Sequence, residues 1–219
     1  MLTVDSYLKV LAAIYATNPR PGNDFIRGFM VEQFLSDKSI DLMSVVKYLH
    51  DKHYVEADFL GHHDVKMKLT GKAIELIEDP LNSIRKSEQS IINQDNSLTI
   101  QNINSQNASI NIINSSIIQK NMTLPSDEDS SYIKDSLEEI LSSLKQLNVN
   151  NIEIEKSISE ILTQLKNNDR IGAAKKINDI WRSALKKIIV NATSKSAKLF
   201  LVNSFPMIFN LIKRIFSLP

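Results

Sequence analysis

The chain has 219 residues, enough for one or two domains with real cores, and its 42% apolar and 23% charged residues are ordinary for a globular protein. Five Gly and six Pro exclude collagen-like architecture, and the absence of Cys excludes disulfides, Cys-ligated zinc and thiol nucleophiles together. The net charge of +1 conceals segregation: residues 1–80 hold 9 Lys and Arg against 12 Asp and Glu, net −3; 81–123 hold 3 against 2, net +1; 124–169 hold 4 against 10, net −6; 170–219 hold 10 against 1, net +9.

The opening run MLTVDSYLKVLAAIYA has no basic leader and carries Asp5 and Lys9, so it predicts a structural helix rather than a signal peptide, and a cytoplasmic chain is expected. The sequons at Asn107, Asn114, Asn121 and Asn191 are then chance products of an Asn-rich sequence. After Asp5, the positions Tyr7, Leu8, Leu11, Ala12, Ile14 and Tyr15 recur with helical spacing, and Asn18-Pro19-Arg20-Pro21-Gly22 ends the run. Asn23 or Asp24 is a candidate cap for a second helix through Phe25, Phe29, Val31 and Phe34. Ser39 is a candidate cap for a third, with Leu42, Val45, Val46 and Leu49 on its buried side. The period then changes to two: YVEADF and VKMKL flank LGHHD and predict a hairpin, after which Thr70 is positioned to cap a helix over LTGKAIELIED.

Three helices, a hairpin and a closing helix is the order of a winged helix-turn-helix domain. The stretch LHDKHYVEAD…VKMKLTGKAIELIE resembles that superfamily, and KLTGKAIELIE looks like its strand-to-helix exit; the likeness covers residues 1–82. If the domain reads DNA, the resemblance implies that the third helix enters the major groove and the wing touches the backbone. Carried onto this chain, the reading-helix candidates are Asp41, Ser44, Lys47, Tyr48 and Asp51, and the wing candidates are His62, His63, Lys66 and Lys68. That set is poor in phosphate-neutralising charge, because the reading helix sets two Asp against one Lys and the region is net negative. The alternative is a protein-recognition or dimerisation module. All four His lie here, His50 and His53 near a helix end and His62 and His63 beside Asp64, in a spacing that requires no metal, and no cofactor is expected.

Residues 88–122 form an Asn- and Ile-rich repeat. SLTIQN at 97–102 matches SINIIN at 109–114, and SIIN at 90–93 echoes SIIQ at 116–119. Leu98 and Ile100, then Ile110 and Ile112, alternate with polar residues, which predicts three or four very short strands joined by Asn and Ser turns. One small apolar face cannot bury itself, so these four residues are the candidates for homo-oligomerisation through stacked copies.

Residues 126–219 predict a helical tail. Acid in the first turn after Pro125 suits a helix start, and Ile133, Leu137, Ile140, Leu141, Leu144 and Leu147 make one stripe. Ile154, Ile158, Ile161, Leu162 and Leu165 make a second, and Ile177, Ile180, Trp181, Ala184, Leu185 and Ile188 a third, as in a helical bundle with short loops. The last segment has a wide apolar face that includes Phe205, Phe209, Ile212 and Phe216, with Lys213 and Arg214 on the narrow remainder and Pro206 predicting a kink or a break. Its uninterrupted apolar span is too short to cross a bilayer, which leaves core packing or contact with an anionic membrane surface. Opposite charge on 124–169 and 170–219 predicts that the basic end folds back on the acidic hairpin.

The arrangement of residues 90–219 is similar to tails of modular bacterial proteins, several of them in anti-phage or abortive-infection systems, and the richness in Asn, Ile, Lys and Ser fits an AT-rich bacterial or phage source. No Gly-rich phosphate loop is present, and Glu138-Glu139 and Glu153-Glu155 fall on predicted solvent faces, so no catalytic residue and no enzyme is expected. The expected class is α+β and mostly α: a winged helix, a short β-repeat and a helical tail. The leading expectation for function is a sensor or adaptor with a protein partner. The alternatives are a DNA-binding regulator and a membrane-active effector acting through the last helix.

Overall fold

The computed structural model describes residues 3–18, 20–35, 39–61, 64–86, 127–146, 151–167, 169–190 and 195–217. The protein is mostly helical with one small antiparallel sheet, an α+β arrangement. Helix α1 (Val4–Thr17) starts at Thr3, whose hydroxyl accepts the Ser6 N–H, and ends at Asn18. Its residues 10–15 are buried on every side. A helix apolar around its whole circumference needs neighbours on more than one face. It has them: α2, α3 and the sheet on one side, and the last helix of the chain on the other.

Strand β1 (Ile26–Arg27) and helix α2 (Gly28–Glu32) replace the expected longer second helix. Ile26 and Arg27 pair with Met67 and Lys66, and that ladder holds the backbone extended where side-chain spacing alone suggested a helix. Neither Asn23 nor Asp24 caps α2, whose cap position is Arg27 with no side-chain hydrogen bond, and Phe25 and Phe29 are exposed rather than core. Gly28 sits where a Cβ would lie 3.2 Å from Val65 Cγ1, so a bare backbone lets α2 approach the sheet.

Helix α3 (Leu42–Asp51) is capped by Asp41, not Ser39: Ser44 Oγ donates to Asp41 Oδ2 at 2.6 Å. Leu42, Val45, Val46 and Leu49 are buried as the spacing predicts. The hairpin is present, with β2 (Val55–Phe59) and β3 (Val65–Leu69) in register from Val55 opposite Leu69 to Phe59 opposite Val65. Sheet order is β1-β3-β2. Thr70 caps α4 (Gly71–Glu78) as expected, accepting the Ala73 N–H and donating to the carbonyls of His53 and Tyr54. Asp79 breaks that helix and begins another over 80–86, with Pro80 in the first-turn position where its missing N–H costs nothing.

In the tail, α5 (Asp127–Gln146), α6 (Asn151–Lys166), α7 (Arg170–Val190) and α8 (Lys195–Ser217) pack in a circuit, each touching the next and α8 returning to α5. Buried Ile133, Leu137 and Ile140 (α5), Ile161 and Leu165 (α6), and Ile177, Trp181, Ala184 and Leu185 (α7) follow the predicted stripes. The core is continuous from the N-terminal elements into the tail, because α8 packs most extensively on α1 and only then on α7. The basic end, 170–219, meets the acidic hairpin through α7 against α6 and, less extensively, α8 against α5, while α8 itself lies chiefly on α1. Helix α8 runs through Pro206 without a break. An interior Pro costs about 3 kcal/mol, whereas Phe205, Ile208, Leu211, Ile212 and Ile215 are buried around it, each at about 1.5–3 kcal/mol, so burial prevails.

Candidate functional site

The side chains singled out from the sequence fall into four groups. On α3, Ser44, Lys47, Tyr48 and Asp51 lie on the solvent face, as expected. Asp41 and Ser44, however, are bound to each other in the cap, and Ser44 together with two backbone amides holds the Asp41 carboxyl below the usual range. Tyr48 stacks on Tyr7 of α1 with ring centroids 4.2 Å apart. On the hairpin, Lys68 pairs with Glu56 at 2.9 Å and lies over the Phe25 ring, while Lys66 sits in register between Arg27 and Asp58. His62 and His63 lie outside the described residues. Among the described residues no group of three or more His, Asp or Glu is arranged to hold a metal.

Leu98, Ile100, Ile110 and Ile112 lie outside the described residues, with the whole predicted β-repeat. In the last group, Phe205 and Ile212 are fully buried and Phe209 partly buried, while Lys213 and Arg214 are exposed, Arg214 lying 4.4 Å over the ring of Tyr132. The side chain of Phe216 lies outside the described residues. No helix among the described residues is long and apolar enough to cross a membrane.

Two features were not foreseen. One is a polar junction between the N-terminal elements and α7. Buried Asn178 accepts the Leu81 N–H at 3.2 Å and donates to Asp79 Oδ1 at 2.9 Å, and Trp181 Nε1 donates to Ile77 O at 2.6 Å. Arg182 pairs with Asp79 at 3.7 Å. Beside the junction lies a cleft of about 410 Å³ between α4 and α7, lined by Glu75, Glu78 and Asp79 against Arg182 and Lys186. Its acids are already engaged: Glu78 accepts from Tyr15 Oη at 2.7 Å, and Glu75 pairs with Lys86. Burial, reinforced by Glu78, pushes the Tyr15 phenol above its ordinary value. The three carboxylates are thus held in pairing. The Asp79-Pro80 pair signals a helix restart in the sequence, but nothing there names Asn178 as its partner.

The other feature is apolar exposure. Phe25, Phe29 and Met30 around β1 and α2, and Phe59 and Leu60 at the end of β2, all face solvent. Phe29 is 56% exposed, Phe59 43% and Leu60 49%. Gly28 against Val65, and Val65 opposite Phe59, bring the start of α2 close to the hairpin strands β2 and β3. His50 of α3 meets the edge of Phe59 with ring centroids 6.2 Å apart. The alternation of Phe25 with Ile26 could have disclosed the first of these outward aromatics. No family model, curated protein or solved structure matches the chain.

Proposed function

We propose that the protein is a non-enzymatic winged-helix binding protein, a sensor or adaptor whose N-terminal part recognises another protein and whose middle and tail assemble copies of it. The helix, strand, helix, helix, strand, strand, helix order with a β1-β3-β2 sheet supports the winged-helix assignment. The observation that carries a protein partner is the exposed apolar set on α2 and the wing, Phe29, Phe59 and Leu60, on a part of the chain that is net −3. Single exposed apolar residues are common, but a grouped set marks an interaction surface. A phosphate backbone would instead select Lys and Arg. Here Lys68 is paired with Glu56, and Lys66 is flanked by Asp58. A bacterial defence system is the setting we propose for this role, supported by the resemblance of residues 90–219 to tails of modular bacterial proteins.

A DNA-binding regulator is the second reading, supported by Lys47 on the exposed face of α3. Titration of the protein against labelled duplex pools across a salt series separates the two. An adaptor shows no complex tighter than about 10⁻⁴ M at physiological salt, the weak end of non-specific binding. A tighter complex that weakens steeply with salt replaces the adaptor by the regulator. A membrane-active effector through α8 has less support, because Phe205 and Ile212 already lie in the core and would have to leave it.

A further inference from the structure

With the order β1-β3-β2, β2 is an edge strand of five residues, while the opposite edge, β1, has two. The ladder fixes where the backbone groups of β2 point. Leu60 N–H donates to Asp64 O, and Thr70 N–H to Tyr54 O, so the even-numbered positions of this strand bond across to β3. Bonded and non-bonded pairs alternate in an antiparallel ladder. Glu56 and Asp58 therefore bond to β3, and Ala57 and Phe59 turn their N–H and C=O groups outward. His50 Nδ1 of α3 donates to Val55 O at 3.2 Å and so occupies the start of this edge. Among the described residues no partner meets the outward groups of Ala57 and Phe59. Pro or a bulge commonly blunts such an edge, and β2 has neither.

The side chains state what fits beside it. Val55 is buried, Ala57 packs on the core, and Phe59 meets the His50 ring, so the odd positions face α3. Glu56 and Asp58 are exposed on the opposite face, in register with Lys68 and Lys66. Glu56 holds Lys68, whereas Asp58 has no ion pair among the described residues. Opposite charges across neighbouring strands stabilise a sheet and like charges destabilise it. A strand added to β2 is thus favoured with basic side chains on this face. A second copy is disfavoured, because the register that pairs Ala57 with itself sets Glu56 against Asp58 twice.

We infer that the outer edge of β2 takes up an extended segment of the partner protein as a fourth strand, with Lys or Arg beside Glu56 and Asp58 and apolar side chains beside Ala57 and Phe59. The inference rests on the protein-recognition reading above and names the chemistry of the partner. Main-chain hydrogen bonds to Ala57 and Phe59 give the affinity, and the alternate side chains give the selection.

Titration of the isotope-labelled full chain with the peptide acetyl-Lys-Val-Lys-Val-Lys-Val-Lys-amide tests the edge. The Ala57 and Phe59 amides should shift and gain protection from hydrogen exchange. N-methylation of the Val residues keeps the charge but removes the donors that would face β2, and should weaken binding roughly tenfold or more. Glu56→Gln with Asp58→Asn should weaken the unmethylated peptide similarly with little change in the thermal transition, since both side chains are exposed. Equal binding of the methylated peptide would reduce the contact to charge attraction and overturn it, as would shifts confined to other amides or no binding at all. Protection of the same amides that rises with protein concentration, without peptide, would give the edge to a second copy instead. Protein recognition as a whole is judged by the duplex titration: a tight, salt-sensitive complex removes it, whereas failure of the peptide without such a complex removes the β2 edge alone.

Discussion

Asn178→Ala tests whether the tail and the N-terminal elements unfold as one body. The side chain is 4% exposed and joins two segments nearly a hundred residues apart through Leu81 N–H and Asp79 Oδ1. Removing it deletes two hydrogen bonds, each with a net value of about 0.5–1.5 kcal/mol, and leaves the buried Leu81 amide without that partner, which costs about 1–3 kcal/mol. The combined loss is about 2–6 kcal/mol, and for a chain of this length that lowers Tm by roughly 4–24 °C. Thermal unfolding followed by far-ultraviolet circular dichroism and by Trp181 fluorescence reads it, and both signals should move together in a single transition. Asn178→Asp keeps an acceptor for Leu81 but sets a second carboxylate against Asp79, so at neutral pH it should be the more damaging variant, with partial recovery as pH falls and one carboxyl is protonated. A shift below about 1 kcal/mol, or a fluorescence transition displaced from the dichroism transition, would refute the coupling of the two parts through this junction.

Three other outcomes follow from single sites. Ile212→Asp places a charge at a fully buried position of α8 and should abolish the cooperative transition of the whole chain, whereas a folded variant that has lost only liposome binding in flotation would restore the membrane reading. His53 holds a left-handed backbone at φ 59, so His53→Gly should raise stability by up to about 1 kcal/mol in urea titration, and His53→Val should lower it by more than that. The Tyr15 phenol is raised in the folded state, so its contribution is complete below pH of about 10, where folded and unfolded chains both keep the proton; above that the unfolded chain releases it first, and stability falls with rising pH. Urea midpoints of wild type and Tyr15→Phe should therefore converge between about pH 10 and 11.5, and a difference constant across that range would contradict the assignment.

The elements of this chain were largely legible in the sequence because their signals are local. Thr70 caps α4 through its own neighbours, the two alternating segments meet across a short hairpin, and the stripes of α5, α6 and α7 mark faces that any partner helix would cover. What each face is covered by is not local. The apolar side of α8 reads equally well as core or as a membrane face, and only its packing on α1, nearly two hundred residues earlier, decides for core. The same contact explains why Val10 and Ala13 of α1, outside the predicted stripe, are buried. Side-chain spacing suggested a helix at Phe25 and Ile26, but β1 forms there because β3 offers it a hydrogen-bonding edge. The pairing of Asp79 with Asn178 likewise arises only when distant segments meet. A sequence determines how each segment can curl and which side of it avoids water, while burial energy gained jointly by remote segments selects the neighbour that satisfies it.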